Sequence, residues 1–215
     1  MIDLHTHTFF SDGELLPSEL IRRAENIGYK TIAITDHADI SNFEFLIENI
    51  LKACKEAMKY WKINAFAGVE FTHVPPDSIK KLTVEARKKG AQVVVVHGET
   101  IVEPVPPMTN LRAIEAKVDI LAHPGLIEER EVILSAKNGV CLEITTRKGH
   151  CYTNGHVAKL AKKNKAKLVL NTDTHSPDNL ISYKQGVNIV KGAGLNEMDF
   201  KEMIKNSENI VKRRK

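Results

Sequence analysis

Short unbroken apolar runs alternate along this chain with longer stretches in which apolar residues recur every three to four positions. The runs at 31–35, 64–69, 91–96, 118–122, 140–144 and 167–171 are brief and mostly aliphatic or β-branched. They have the length and composition of strands buried on both faces, and residues 1–5 read as a further strand before them. Between them, helical spacing predicts helices over 17–28, 42–59, 77–89, 109–116, 128–137 and 154–164, and two more over 182–191 and 197–206. Pro17 stands where a first helix begins, and Gly28, Gly90 and Gly139 stand where helices stop. Strand alternating with helix, about seven times over, predicts a parallel α/β architecture, with a barrel and an open doubly wound sheet as the competing closures.

Composition narrows the class. With 215 residues, 42% hydrophobic and 27% charged, the chain is expected to form one soluble globular domain over 1–215. No apolar run reaches the roughly 18 residues of a membrane span. The N-terminal residues lack the basic and apolar segments of a signal peptide, so a cytoplasmic location is expected. The net charge of +4 is modest and partly concentrated at the C-terminal end, where 205–215 reads as a basic, solvated tail. Cys54, Cys141 and Cys151 are widely spaced and form neither a disulfide framework nor a zinc knuckle, and Cys141 reads as core.

The polar residues that end the strands carry the chemistry. His5 and His7 end the first strand, Asp12 follows in the next turn, and His37, Glu70, His97, His123, Asp173 and His175 stand at or just beyond the ends of later strands. Six of the nine histidines fall at such positions, whereas chance would scatter them through helices and loops as well. Strand C-termini are where barrels build their sites, and only a closed barrel brings so many strand ends to one point. His97 is the most telling, because a run of four valines delivers it to the end of a buried strand, where an unpaired polar group is costly. Nine nitrogen and oxygen donors exceed the four to six that one zinc or manganese ion accepts, so two or three divalent ions are expected, with Glu70 as the bridging carboxylate. Such a pocket is net positive and suits a phosphate dianion. Asp3 and Asp36 are candidate acceptors for the ligating imidazoles, and Glu143, inside an apolar strand, stays outside the ligand set. Arg147, Lys148 and His150, in the loop after the sixth strand, are candidate substrate contacts, with solvated surface charge as the competing reading for the first two. His156 reads as structural, and His73 has no assignment.

The segments Leu4-His-Thr-His7, Ser11-Asp-Gly13, Thr35-Asp-His37, Gly68-Val-Glu70, Val96-His97, Ala122-His-Pro124 and Asn171-Thr-Asp-Thr-His175 resemble the motifs of the PHP (polymerase and histidinol phosphatase) family. The resemblance spans most of the chain. It implies a distorted, TIM-like (β/α)7 barrel of parallel strands with outer helices, holding a trinuclear centre of zinc, manganese or iron. Carried onto matching positions, the implied metal ligands are His5, His7, Asp12, His37, Glu70, His97, His123, Asp173 and His175. Some family members have histidine where Asp12 stands. The resemblance further implies that His5 and His7 share one ion with Glu70 and Asp173, while Asp12 serves another beside His37 and His175.

The implied activity is phosphoester hydrolysis, most simply of a small phosphomonoester, by in-line attack of a metal-bound hydroxide. Asp173 and His175 are the candidates for moving a proton through the bound metal. A phosphodiesterase or nuclease on the same centre is the runner-up. It would want a basic groove, which the modest charge and the 6% aromatic content disfavour, so a small phosphorylated substrate is expected in preference to nucleic acid, and no membrane partner. A non-catalytic binding barrel should have lost these ligands. An amidohydrolase should carry a lysine or equivalent bridge late in the fourth strand, where this chain has His97.

Overall fold

The structure, a computed structural model, describes residues 1–213. The strands are β1 (Ile2–Asp3), β2 (Thr31–Ile34), β3 (His37–Ala38), β4 (Asn64–Phe71), β5 (Val93–His97), β6 (Ile120–Ala122), β7 (Cys141–Thr145) and β8 (Leu168–Asn171). The helices are α1 (Pro17–Asn26), α2 (Phe43–Tyr60), α3 (Ile79–Lys88), α4 (Thr109–Glu115), α5 (Glu129–Asn138), α6 (Asn154–Asn164), α7 (Tyr183–Gly192) and α8 (Glu197–Lys212). All pairings are parallel, in the order β1-β2-β4-β5-β6-β7-β8, with β3 also on β4. Beyond β1 the chain returns to the far edge. Asp173 N–H donates to His5 O at 3.0 Å, His7 N–H donates to Thr174 O at 2.8 Å, and Thr6 bridges Thr174. The result is a nearly closed barrel wrapped by helices, the fold the sequence pattern and the resemblance imply.

Two strands differ from the sequence reading. The first is regular only at Ile2–Asp3, because its continuation spends its backbone groups on both neighbours, with Thr35 N–H donating to Thr6 O at 2.8 Å. The second resumes after Thr35 and Asp36 as β3, so seven strand positions are filled by eight segments.

Period-two alternation, invisible within an all-apolar run, sorts each strand into two faces. Val94 and Val96 face the helices with Leu142, Ile144 and Leu170. Val93 and Val95 fill the barrel with Phe66, Cys141 and Val169. Extending the inner parity along each strand reaches Glu70, His97, Glu143 and Asp173, which is why acids and imidazoles crowd one mouth of the barrel.

The other mouth is closed by the C-terminal helix. Residues 205–212 of the expected solvated tail belong to α8, and Asn206, Ser207, Ile210 and Val211 are buried. Ile210 and Val211 join the barrel-filling cluster with Ile2, Leu4 and Ala33, so this segment is a plug and not a tail. Lys205 and Lys212 stay on its exposed face, and Arg214 and Lys215 lie outside the described residues. Among the described residues no helix is long and apolar enough to cross a membrane.

Candidate metal centre

All nine strand-end residues meet at the C-terminal mouth. His5 Nε2 lies 3.2 Å from Glu70 Oε1, and His7 Nε2 lies 3.2 Å from Asp173 Oδ1. Glu70 Oε2 lies 2.7 Å from His37 Nδ1, placing this carboxylate between the two groups of histidines. Asp12 reaches over from its turn, with Oδ1 3.2 Å from His175 Nε2 and 3.4 Å from His37 Nε2. His123 Nε2 approaches Asp173 Oδ2 at 3.6 Å, and its ring centroid is 4.5 Å from that of His97. Donor atoms on a common tetrahedral ion with bonds of about 2.0–2.2 Å sit about 3.3–3.6 Å apart, so these separations are close to the edges of coordination polyhedra.

Both nitrogens of His7, Nε2 of His5, Nδ1 of His123 and Oε1 of Glu70 are fully buried and make no hydrogen bond. Buried polar atoms are nearly always paired, and leaving one unpaired costs about 1–3 kcal/mol. Here they approach one another closely without hydrogen-bond geometry, as donors do when they aim at a shared ion. The residues therefore fit divalent cations, and they fall into sets around His5–His7–Glu70, His5–His123–Asp173, His7–Asp12–His37–His175 and His97–His123–His150.

Electrostatics in the protein alone reflect this crowding. Burial works against protonation of His5, but the surrounding Glu143, Glu70 and Asp173 outweigh it and hold its pKa well above the usual imidazole range. Burial also opposes charge on His37, yet Glu70 and Asp12 lift it to about 10. Burial, with neighbouring imidazoles, drives His7 and His123 well below their ordinary value. Burial raises Asp173 to about 7, Glu70 and Glu143 adding to the effect and His5 opposing it. Glu70 is held well below the carboxylate range because His5 and His37 outweigh the burial that would raise it.

The backbone presents these groups by force. Asp173 and His123 adopt positive φ, 53° and 24°, which side-chain-bearing residues rarely take. Gly98, after His97, is needed because a Cβ there would lie 2.2 Å from Ala122 O, so β5 and β6 approach closely enough to bring their histidines together only through glycine.

Glu143, left outside the ligand set, orients it. Its carboxylate accepts from His5 Nδ1 at 2.9 Å, from Asn171 Nδ2 at 2.8 Å and from the His123 backbone N–H at 3.1 Å. Asp3 and Asp36 make no hydrogen bond to the imidazole rings of the candidate centre. Asp3 accepts from Thr172 Oγ1 at 2.6 Å and from the His5 backbone N–H. Asp36 accepts from Thr8 and Ser11, fixing the turn that carries Asp12. Both carboxylates are taken up by backbone N–H and hydroxyl donors of neighbouring segments. His156 ties α6 to Ile127 O at 2.8 Å, a structural role as expected.

The substrate candidates separate. Arg147 borders the metal-ligand mouth together with Asp12, Asp173 and His175. It also borders an adjoining groove of about 740 Å³ that contains Lys148, Glu14, Asp178, Gln185 and Asn188. Lys148 lines only the groove, and His150 is buried beside His123, ring centroids 4.3 Å apart. Sequence reasoning missed Glu103 and left His73 unplaced, yet these two pair at 3.1 Å on the rim. Their acid and imidazole lie in irregular loops, where no periodic pattern marks them.

The family model for the PHP domain matches residues 3–184. An uncharacterised protein of Methanocaldococcus jannaschii is 48% identical over 204 residues, covering 94% of each chain. A Clostridium botulinum (strain Hall) protein named "Probable phosphatase" is 27% identical over 237 residues, covering 98% of this chain and 92% of its own. Among solved structures, a chain of an archaeal ribonuclease P with mature tRNA aligns with TM-score 0.77 at 16% identity, covering 100% of this chain and 91% of that one. A two-domain Bacteroides vulgatus protein, described as containing a predicted PHP-like metal-dependent phosphoesterase, aligns with TM-score 0.55 at 14% identity, covering 96% and 62%. At these identities the structural likenesses speak for the fold alone. The family match over most of the length, the strand-end motifs and the convergent donors agree: this chain belongs to the PHP domain family.

Proposed function

We propose that this protein is a metal-dependent phosphoesterase that hydrolyses a small phosphomonoester. The observation that carries the reading is the convergence of nine imidazole and carboxylate donors, several buried without hydrogen-bond partners, beneath an opening bordered by Arg147. Family membership and relatives named as phosphatases support the phosphoesterase class. In this reading His5, His7, Glu70 and Asp173 would hold one ion, Asp12, His37 and His175 a second, and His97 with His123 a third. Divalent ions in such positions supply Lewis acidity toward phosphate oxygens and a water acidic enough to act as nucleophile near neutral pH.

The chain's own groups account for the remainder. Arg147, its guanidinium 3.5 Å from Asn179 Oδ1, offers a planar fork to the phosphoryl oxygens at the junction of mouth and groove. In this reading His175, which lines both mouth and groove, and Asp173, which lines the mouth, pass a proton to the departing oxygen. The adjoining groove suits a leaving group of low charge. Its two basic residues, Arg147 and Lys148, are matched by Glu14 and Asp178, and carboxamides from Gln185 and Asn188 share the wall. A polyanion such as nucleic acid would need an excess of basic groups there, so the groove favours the monoester over the nuclease alternative.

The test is a panel of phosphomonoesters and diesters, including p-nitrophenyl phosphate, with manganese, zinc and iron(II) each supplied separately to chelator-stripped protein. Turnover should require metal and favour monoesters, with weak dependence on salt. Loss of turnover with unchanged circular dichroism is expected for His7→Ala and Asp173→Ala. Intact esters across the whole panel with metal bound would remove the phosphoesterase assignment.

A further inference from the structure

Three imidazoles converge on one carboxylate at the rim of the pocket. Glu103 Oε2 lies 3.1 Å from His97 Nε2 and 3.1 Å from His73 Nε2, while Glu103 Oε1 lies 3.2 Å from His150 Nε2. In two of these rings the opposite nitrogen is already engaged. His97 Nδ1 lies 3.2 Å from Gly98 O, and His150 Nδ1 lies 3.0 Å from Thr100 Oγ1. An imidazole that donates through Nδ1 carries its lone pair on Nε2, and this is how outer partners commonly prepare a histidine for a cation. His97 and His150 are both buried.

We propose that Glu103 and His150 join His97 and His123 in holding the third divalent cation, so that two ligands of that ion lie outside the nine strand-end residues. The proposal rests on the metal-centre reading above and names ligands that reading lacks. The two Glu103 oxygens stand 3.1 and 3.2 Å from His97 Nε2 and His150 Nε2, near the edge of a small coordination polyhedron, and His123, its ring centroid 4.3 Å from that of His150, supplies the fourth donor.

The loop is built to hold Glu103 there. Gly98 N–H donates to Ala122 O at 3.0 Å and Thr100 N–H donates to Gly98 O at 2.7 Å, turning the chain back over β5. Asn110 and Glu99 exchange hydrogen bonds at 2.9 and 3.0 Å, clamping the base of the loop to α4. His73 holds the carboxylate from outside through a hydrogen bond to Oε2, from a backbone at φ 52°. In this arrangement His73 orients Glu103, and His97 with His150 share the ion with it.

Metal content decides the matter without reference to activity. Wild type, Glu103→Gln, His150→Gln and His73→Ala would be stripped with chelator, loaded with excess zinc, desalted and analysed for metal. Parallel samples loaded with cobalt(II) would be read by visible absorption. The glutamine variants should each hold one equivalent fewer than wild type and lose part of the cobalt band, their remaining equivalents showing that the pocket is folded. Affinity at the lost site should fall by more than the ~100-fold that losing an outer partner costs, and His73→Ala should keep the wild-type count. Glutamine variants that keep the full count beside a loaded wild type would overturn this site while sparing the centre. Variants that lose every equivalent with unchanged circular dichroism would also overturn it, because Glu103 and His150 would then serve the centre as a whole. A wild type that binds no metal would sink both readings.

Discussion

Glu143 shows how much a single buried residue decides in this pocket. Fully buried, it fixes the ring of His5, the side chain of Asn171 and the backbone of His123. Removing its charge by Glu143→Gln keeps the shape but replaces one acceptor oxygen with a donor that must face one of these donors. Metal affinity should fall about 10–100-fold with the fold retained, read by metal titration and circular dichroism. The histidines give a second prediction, on pH. His37 is lifted to about 10, and His5 also lies well above its ordinary value. A base whose folded pKa is raised stabilises the fold fully below its unfolded value, about 6.5, and loses that contribution as pH climbs through the folded value. Chelated protein should therefore melt lower at pH 9 than at pH 7. Cations compete with protons for the same rings, so metal affinity should rise over this window. Thermal scans with and without chelator check both signs. At this scale the sequence was informative where a residue ended a strand and silent where it sat in a loop. His97 could be read as a ligand because four valines lead to it, whereas Glu103 follows no pattern and reaches His97 only through the fold back over β5.

Element boundaries depended on how local the cause was. The helix over 154–164 was readable to the residue, and α5 ends where Gly139, at φ 74°, supplies the left-handed cap its position suggested. The shortness of β1 and the break between β2 and β3 were not readable, because they arise from backbone groups shared among neighbours distant in sequence. The close contact of β5 and β6 gives an element-scale prediction. Gly98→Ala would push a methyl group to 2.2 Å from Ala122 O and 2.8 Å from Pro124 Cα, both backbone atoms that cannot give way cheaply. Stability should drop by about 1–3 kcal/mol, the range for overpacking, and His97 should separate from His123. Denaturant unfolding and metal content would register the two effects separately.

Across the whole molecule the barrel is asymmetric, with one mouth for polar chemistry and the other sealed by α8. Ile210 and Val211 complete the interior cluster that begins with Ile2 and Leu4 beneath the candidate metal centre. Ile210→Ala should cost about 2–5 kcal/mol, as other large-to-small core changes do, seen as a lower denaturation midpoint at unchanged slope. An unchanged midpoint would return this segment to the solvated tail that its lysines and arginines suggest. The basic composition of 205–215 misled because charge on one face of a helix says nothing about the other, and the two inward apolar positions acquire meaning only beside the barrel floor.

By itself, the sequence determined the parallel α/β class and the kinds of atom at the strand ends, because apolar runs and the residues terminating them are local and their period is fixed by backbone geometry. It also carried the family motifs from Leu4 to His175. Tertiary structure alone decided that Glu143 stands behind His5, that His73, Glu103 and His150 gather at the rim, and that the C-terminal helix closes the floor. Each of these joins residues from separate loops or elements, and only closure of the strands into a barrel sets such distances.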